Sequence, residues 1–250
     1  MGRIGDIILT FTCIIFFSLS CKTAYQPQSY SYVDYRVTKK GNQNPLMDQL
    51  LKSYSDSVNK SMNDVVAMAG SELVKSQPEG TLGNILVDAM LTKAIQSYKI
   101  HIDAAFINYG GIRLNTIPAG DITRGKFFEL SPFDNIIVLL KLNGKLLLKF
   151  LNHISNKGGW PTAGMQWQIK SNRAINILIN GKPLDENATY TIAVPDYVAN
   201  GGDDCTMLEQ LAPMKNGYLL RDAIIEYFTD INKQGKKITA TLEKRISNAE

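Results

Sequence analysis

Asn135-Ile136-Ile137-Val138-Leu139-Leu140-Lys141-Leu142, then Asn143-Gly144, then Lys145 to Ile154, is the stretch that decides the fold. The unbroken apolar run at 136–140 reads as a strong strand. Asn143-Gly144 is a turn signal, and Leu147, Leu148 and Leu151 recur at helical spacing with one inward face. Working outward, the same patterns predict helices at about 45–60 (Leu46, Leu50, Leu51, Tyr54), from Thr81 as a cap to about Ser97, near Arg124–Leu130, and over Tyr218–Asn232. Strands are expected at Val65–Ala69, within His101–Ile107, at Met165–Lys170, Ala174–Ile179 and Tyr190–Val194, and finally at Ile238–Leu242. Ile117–Thr123 and the Gly-rich Pro195–Asp204 read as loops, Asn108–Gly111 and Asn180-Gly181 as turns. Strands interleaved with helices, without a repeat, predict a mixed α/β (α+β) domain over 45–250.

Composition narrows the function. With 44% hydrophobic and 20% charged residues the chain is ordinary globular protein, large enough to need no disulfide or metal staple. A formal charge of +4 without a long Lys/Arg block gives no indication of nucleic acid as a partner, and it suits a small anionic ligand equally well. His101 and His153 are the only histidines, too few for the His-and-Asp ligand sets of binuclear phosphoesterase or protease centres. Cys-x-x-Cys, His-Glu-x-x-His and the phosphate-loop motif are all missing. No metal site and no cofactor is therefore expected in this chain.

Residues 1–20 read as an export signal: Arg3 supplies the positive start and Ile7–Leu19 the apolar core. That core is short of the ~20 residues a bilayer span needs. Ser18-Leu19-Ser20-Cys21 resembles a lipobox, with Ser18 where Leu is usual, and implies acylation of Cys21. An uncleaved anchor or an ordinary secretory signal is the alternative. Acylation would tether the protein to a membrane in the cell envelope, as a periplasmic or outer-membrane lipoprotein. The polar segment 21–44 reads as a flexible tether. After cleavage Cys205 is the remaining thiol, so no intrachain disulfide is expected.

Four segments in order resemble the C-terminal domain of the 5′-nucleotidase family. They are Leu82-Gly83-Asn84-Ile85-Leu86-Val87-Asp88-Ala89-Met90, Asn108-Tyr109-Gly110-Gly111-Ile112-Arg113, Ser131-Pro132-Phe133-Asp134-Asn135 and Tyr197-Val198-Ala199-Asn200-Gly201-Gly202-Asp203. Ile117–Thr123 and Lys244-Arg245-Ile246 agree as well, so the likeness spans roughly 45–247. The resemblance implies a mixed sheet flanked by helices that binds a nucleotide and presents its phosphate to a dimetal phosphoesterase domain. The segment before Pro45 is too short to hold such a domain. A separate metallophosphoesterase chain, carrying the divalent metals, is therefore the expected partner, and a nucleoside monophosphate the expected ligand. The alternative is a non-catalytic, lipid-anchored nucleotide- or nucleoside-binding module; a structural envelope lipoprotein without a ligand is a third reading.

The resemblance also implies roles. Phe133 and Tyr197, the latter where the family usually has Phe, would stack on the two faces of a base. Asp203 would accept hydrogen bonds from the ribose hydroxyls, with Gly202 allowing close approach. Asn108 would meet the base edge, and the Arg113 guanidinium the phosphate. Gly110 and Gly111 would offer free backbone N–H groups to the same pocket. Each residue also has a plain structural reading: a core Phe, a half-exposed loop Tyr, a self-bonded turn Asp, a turn-capping Asn, a surface ion-paired Arg. Two departures stand out. Pro78 occupies a place where the family usually has a second phosphate-binding Arg, leaving Lys75 as a substitute, and Tyr109 stands where the family shows Gly. His101 and His153 read as structural or surface residues, Cys205 as a buried small hydrophobe, and Ser131 is given no role.

Overall fold

The computed structural model of the chain describes residues 31–33 and 44–249. The export signal, Cys21 and nearly all of the tether lie outside the described residues. The chain divides into a unit ending at Asp48 and a unit from Gln49 to Glu250, and the second holds both cores and the pocket. Its helices are α1 (Pro45–Met62, whose first turn belongs to the first unit), α2 (Thr81–Tyr98), α3 (Arg124–Leu130), α4 (Gly144–Asn156), α5 (Asp196–Ala199) and α6 (Leu220–Lys233). The strands are β1 (Val65–Ala69), β2 (Leu73–Val74), β3 (Ala104–Phe106), β4 (Thr116–Ile117), β5 (Gly120–Thr123), β6 (Ile136–Asn143), β7 (Thr162–Ala163), β8 (Met165–Lys170), β9 (Arg173–Ile179), β10 (Lys182–Pro183), β11 (Thr189–Pro195), β12 (Met214–Leu219) and β13 (Ile246–Asn248).

A five-stranded sheet in the order β12-β6-β11-β3-β7 forms the middle layer. Side chains alternate faces along a strand, so β6 feeds two cores at once. Ile137 and Leu139 join Leu82, Leu86 and Met90 of α2 and Ile224 and Phe228 of α6. Val138, Leu140 and Leu142 join Leu147, Phe150, Leu151 and Ile154 of α4, with Met165 and Trp167 of β8. Being buried on both faces is why this strand reads as a continuous apolar run rather than an alternation. The β8 residues belong to a second sheet, β10-β9-β8-β13. The fold is thus a mixed α/β arrangement of sheets flanked by helices.

The turn after β6 shows the local chemistry at work. Asn143 caps α4, its Oδ1 accepting from the Leu146 N–H at 2.9 Å. A Cβ on Gly144 would lie 2.0 Å from the Asp185 carbonyl oxygen, so only glycine lets the two backbones approach this closely.

Several expectations need correcting. Thr81 does not cap α2: it is the first helical residue, and its hydroxyl accepts instead from the Val74 N–H at 2.9 Å. Ile117–Thr123 is not a plain loop, for β4 and β5 form two-stranded ribbons with β2 and β1. The segment starting at Tyr218 is strand before it is helix, because β12 pairs with β6 through Leu219. Ile238–Leu242 is no strand; Ile238 makes a single bridge to Ala69, and the last strand is β13, parallel to β8. In α4 the inward face carries Phe150 and Ile154 besides Leu147 and Leu151, while Leu148 is only half-buried. Helix α1 forms where its periodicity predicts, but Leu50, Leu51 and Tyr54 are exposed and join neither core. Spacing reports that a helix has an apolar face, not what that face meets.

Candidate functional site

Strand direction brings three distant segments together. β11 runs parallel to β3, with Ile192 opposite Ala104, so both strands end on the same side of the sheet. β6 is antiparallel to β11, with Pro195 opposite Ile137, so β6 begins on that side. The residues leaving β3 (Asn108 to Arg113), entering β6 (Phe133 to Asn135) and leaving β11 (Asp196 to Asp203) therefore share one sheet end. The Asp196 carboxylate ties two of them by accepting from the Ile136 N–H at 3.2 Å. Between them lies a cavity of about 240 Å³ lined by Asn108, Gly110, Gly111, Arg113, Phe133, Asn135, Tyr197 and Asp203. Five of the six binding candidates read from the sequence lie in this lining. The sixth, Gly202, packs beneath Tyr197 instead: a Cβ there would lie 2.5 Å from the ring carbons.

Asp203 is the polar centre. Its Oδ2 accepts from Asn108 Nδ2 at 2.7 Å and its Oδ1 from the Tyr197 hydroxyl at 3.2 Å. Its own N–H donates to the Tyr197 oxygen at 3.2 Å. Its carbonyl accepts from His153 Nε2 at 2.9 Å, which requires the proton on that ring nitrogen. The backbone of Asp203 is left-handed (φ 52°, ψ 36°), a conformation Asp tolerates better than most residues. Asn108 is buried, and its Oδ1 has no partner. A buried acceptor without a donor is costly, and here it borders the cavity.

The two rings differ in support. Phe133 is 44% exposed and Tyr197 45%, so neither is a core residue. Phe133 rides on a segment gripped by Arg221 at the start of α6. Arg221 Nη1 donates to the carbonyls of Ser131 (3.0 Å) and Phe133 (3.2 Å), Nη2 pairs with Asp134 at 2.5 Å, and the guanidinium lies 4.2 Å from the Phe128 ring centroid. Ser131 thus acts through its backbone.

On the opposite flank Arg113 makes one long hydrogen bond, to the Gly110 carbonyl at 3.3 Å, and lies 5.7 Å from the Phe133 ring centroid. Among the described residues no ion pair includes it. The β2–β4 ribbon carries Lys75 to the same loop: its Nζ donates to the Ile112 carbonyl at 2.7 Å and sits 3.9 Å over the Tyr109 ring. Partial burial, and then the nearby Arg113 charge, lower the Lys75 pKa from 10.5. Pro78 packs on Gly159 and adds no charge. The Gly111 N–H is not free as expected, since it donates to the Asn108 carbonyl at 2.9 Å.

Cys205 is fully buried, and burial, followed by the Asp203 charge, pushes its thiol up to about 12, which makes it a packing residue rather than a nucleophile. His101 is exposed and meets Asp103. Among the described residues no three His, Cys, Asp or Glu side chains converge as metal ligands. Sequence reasoning missed Arg221, His153 as a support of Asp203, and Asn135 in the lining. Arg221 carried a legible signal: it stands three and four residues before Ile224 and Ile225, on the apolar face of α6. His153 carried none, because its partner is a backbone carbonyl 50 residues away.

The 5′-nucleotidase C-terminal domain family matches residues 58–210. The chain is 32% identical over 141 residues to a 5′-nucleotidase of Vibrio cholerae, covering 54% of this chain and 24% of that protein. It is 31% identical over 219 residues to the trifunctional nucleotide phosphoesterase protein YfkN of Bacillus subtilis, covering 80% of this chain and 14% of that one. The crystal structure of the 5′-nucleotidase precursor from Thermus thermophilus superimposes with a TM-score of 0.70 at 30% identity, over 82% of this chain and 43% of the other. The chain thus spans a quarter or less of these two curated relatives. The ordered match over more than half its length, on a fold shared with a solved relative, makes the chain a member of the 5′-nucleotidase C-terminal domain family.

Proposed function

We propose that this chain is the nucleotide-recognition part of a split 5′-nucleotidase. It holds a nucleoside monophosphate and presents the phosphate to a separate metallophosphoesterase chain, which supplies the metals and the attacking water. The observation that carries this reading is the pocket itself: two exposed aromatic rings border one cavity with a hydrogen-bonded carboxylate and a guanidinium that is in no ion pair among the described residues. Phe133 and Tyr197 stack on the base, Asn108 meets its edge, Asp203 takes the sugar hydroxyls, and Arg113 takes the phosphate. Gly202 serves the site by giving the Tyr197 ring room to lie against the loop.

Calorimetric titration with AMP tests the reading. Binding is expected, with Phe133→Ala and Tyr197→Ala each weakening it by about 1–3 kcal/mol. Unchanged affinity in both variants would remove the stacking role. The purified chain is expected to release no phosphate with divalent metal present, and turnover by this chain alone would overturn the division of labour. A second reading, a nucleotide or nucleoside-binding module without a hydrolytic partner, is favoured by the single cation in the pocket lining. Co-purification with a phosphoesterase chain selects the first reading; its absence together with equal affinity for adenosine and AMP selects the second. The envelope location and the Cys21 lipid belong to this proposal too, and mass spectrometry of the mature N-terminus tests them.

A further inference from the structure

Helix α1 differs from every other helix of the fold. Its Leu50, Leu51, Tyr54 and Val58 are 61%, 52%, 69% and 53% exposed, while no other helix among the described residues exposes more than one large apolar side chain. Helical spacing puts these four on one side, with Tyr54 near the middle of the stripe. Asp48, Lys52, Asp56 and Lys60 recur every four residues on the other side, where Lys52 and Asp56 pair at 2.7 Å. The domain holds the helix at its C-terminal end: the Arg124 N–H donates to the Asp64 carbonyl at 2.8 Å, and a Cβ on Gly125 would lie 3.1 Å from the Met62 carbonyl oxygen. Propensity does not explain such a helix, which has four serines and no alanine. A helix of this length draws its stability in water chiefly from a packed apolar face.

The face therefore needs a cover, and its pattern says which. Reversed about Tyr54, the helix maps Leu50 onto Val58, Asp48 onto Lys60 and Lys52 onto Asp56, so apolar falls on apolar and each charge on its opposite. A second copy laid antiparallel, with a two-fold axis at Tyr54, meets the stripe with the same stripe. It also sets each charge level with one of opposite sign and opposes the two helix dipoles. A membrane surface matches less well, because the polar side carries two Lys and two Asp rather than a basic excess. Area agrees: the four side chains present roughly 500 Å², so two copies cover roughly 1,000 Å² in total, the size at which specific interfaces begin. We infer that α1 is a homodimerisation helix, through which two copies of this chain pair antiparallel by Leu50, Leu51, Tyr54 and Val58 as a weak, micromolar dimer. The inference does not depend on the nucleotide reading.

The test is sedimentation velocity of the full chain from about 1 to 100 μM, on the unaltered protein and on the Leu50→Asp/Val58→Asp double variant, each first shown by thermal melting to be folded. The unaltered protein is expected to pass from monomer to dimer across that range. The double variant is expected to dissociate about a hundredfold more readily, because pairing then buries charge. Lys52→Ala, on the polar side, is expected to change the dissociation constant by about threefold at most. An unaltered protein that stays monomeric throughout overturns the inference, and so does a dimer that the double variant keeps, which would assign association to another surface. Binding of a monomer to phosphatidylglycerol vesicles, lost in the double variant, would give the face to a membrane and overturn it as well. Should the double variant not fold, introduced cysteines decide. On oxidation Tyr54→Cys is expected to give a linked dimer above the background of the native cysteines, and Lys52→Cys is not, since residue 54 alone of the two meets its own copy across the axis. Equal linkage at both positions, or linkage at neither, overturns the inference.

Discussion

The two flanks of the pocket are built on opposite principles. At the Asp203 flank every polar group of the residue has a protein partner: both carboxylate oxygens, the N–H and the carbonyl. At the Arg113 flank the guanidinium has one long bond to a carbonyl, and Lys75 is held by a carbonyl and a ring face, with no ion pair to either cation among the described residues. The first flank is preorganised, with its geometry set before any ligand arrives. The second carries positive charge that no carboxylate among the described residues pairs with, which an incoming anion can use. An exposed guanidinium can wait in this way at little cost because water satisfies it; a partly buried carboxylate without donors would cost more.

The contrast can be broken at several points. The largest effect is expected at the support of the Phe133 segment. Arg221→Met removes three hydrogen-bonded contacts from a buried guanidinium and should lower unfolding stability by about 2–4 kcal/mol in urea titration. It should also weaken nucleoside binding, because Phe133 loses its anchor; retained affinity would show that the segment holds itself. Arg113→Ala should weaken AMP by about 1.5–3 kcal/mol and adenosine far less, since only AMP brings an anion. Equal losses for the two ligands would mean the guanidinium packs on Phe133 rather than meeting phosphate. His153→Ala should lower stability by about 0.5–1.5 kcal/mol and weaken adenosine and AMP equally, the mark of a group that braces the sugar end.

The smallest effect belongs to Lys75. Its folded pKa lies below the unfolded value of 10.5, so between the two values the unfolded chain binds more protons and stability rises with pH through that window. Below the window the folded protein bears the cost of keeping a partly buried ammonium beside Arg113. A bound phosphate reverses the shift. AMP titrations within the window, in two buffers of different ionisation enthalpy, should therefore show proton uptake that disappears in Lys75→Met, together with a loss of roughly 0.5–1 kcal/mol in affinity. Uptake unchanged by the substitution would place the phosphate away from Lys75.

Exposure separates the residues whose plain readings competed. Phe133 is no core residue, Arg113 is in no ion pair among the described residues, and Asp203 directs its side chain to Tyr197 and Asn108 rather than to its own turn. The departures from the family pattern become intelligible in three dimensions as well. Tyr109 supplies the ring beneath Lys75, so the unusual aromatic meets the cation proposed to stand in for the missing Arg. The hydroxyl that distinguishes Tyr197 from Phe falls on the residue expected to meet the sugar.

What the sequence determined by itself was everything that depends on short-range periodicity and composition. The β6 strand, the turn at Asn143-Gly144, the α4 helix and the mixed fold could be read without coordinates, because strand and helix spacing and turn chemistry are local, whereas the segments that line the pocket were picked out by the family resemblance. Only the tertiary structure decided which elements pair and what braces the site. The β12 and β13 strands take their identity from partners far along the chain, α1 has an apolar face that neither core accepts, and Arg221 and His153 act through backbone carbonyls of distant segments. A carbonyl is the same group in every residue, so a contact made to one leaves no trace in the letters on its acceptor side.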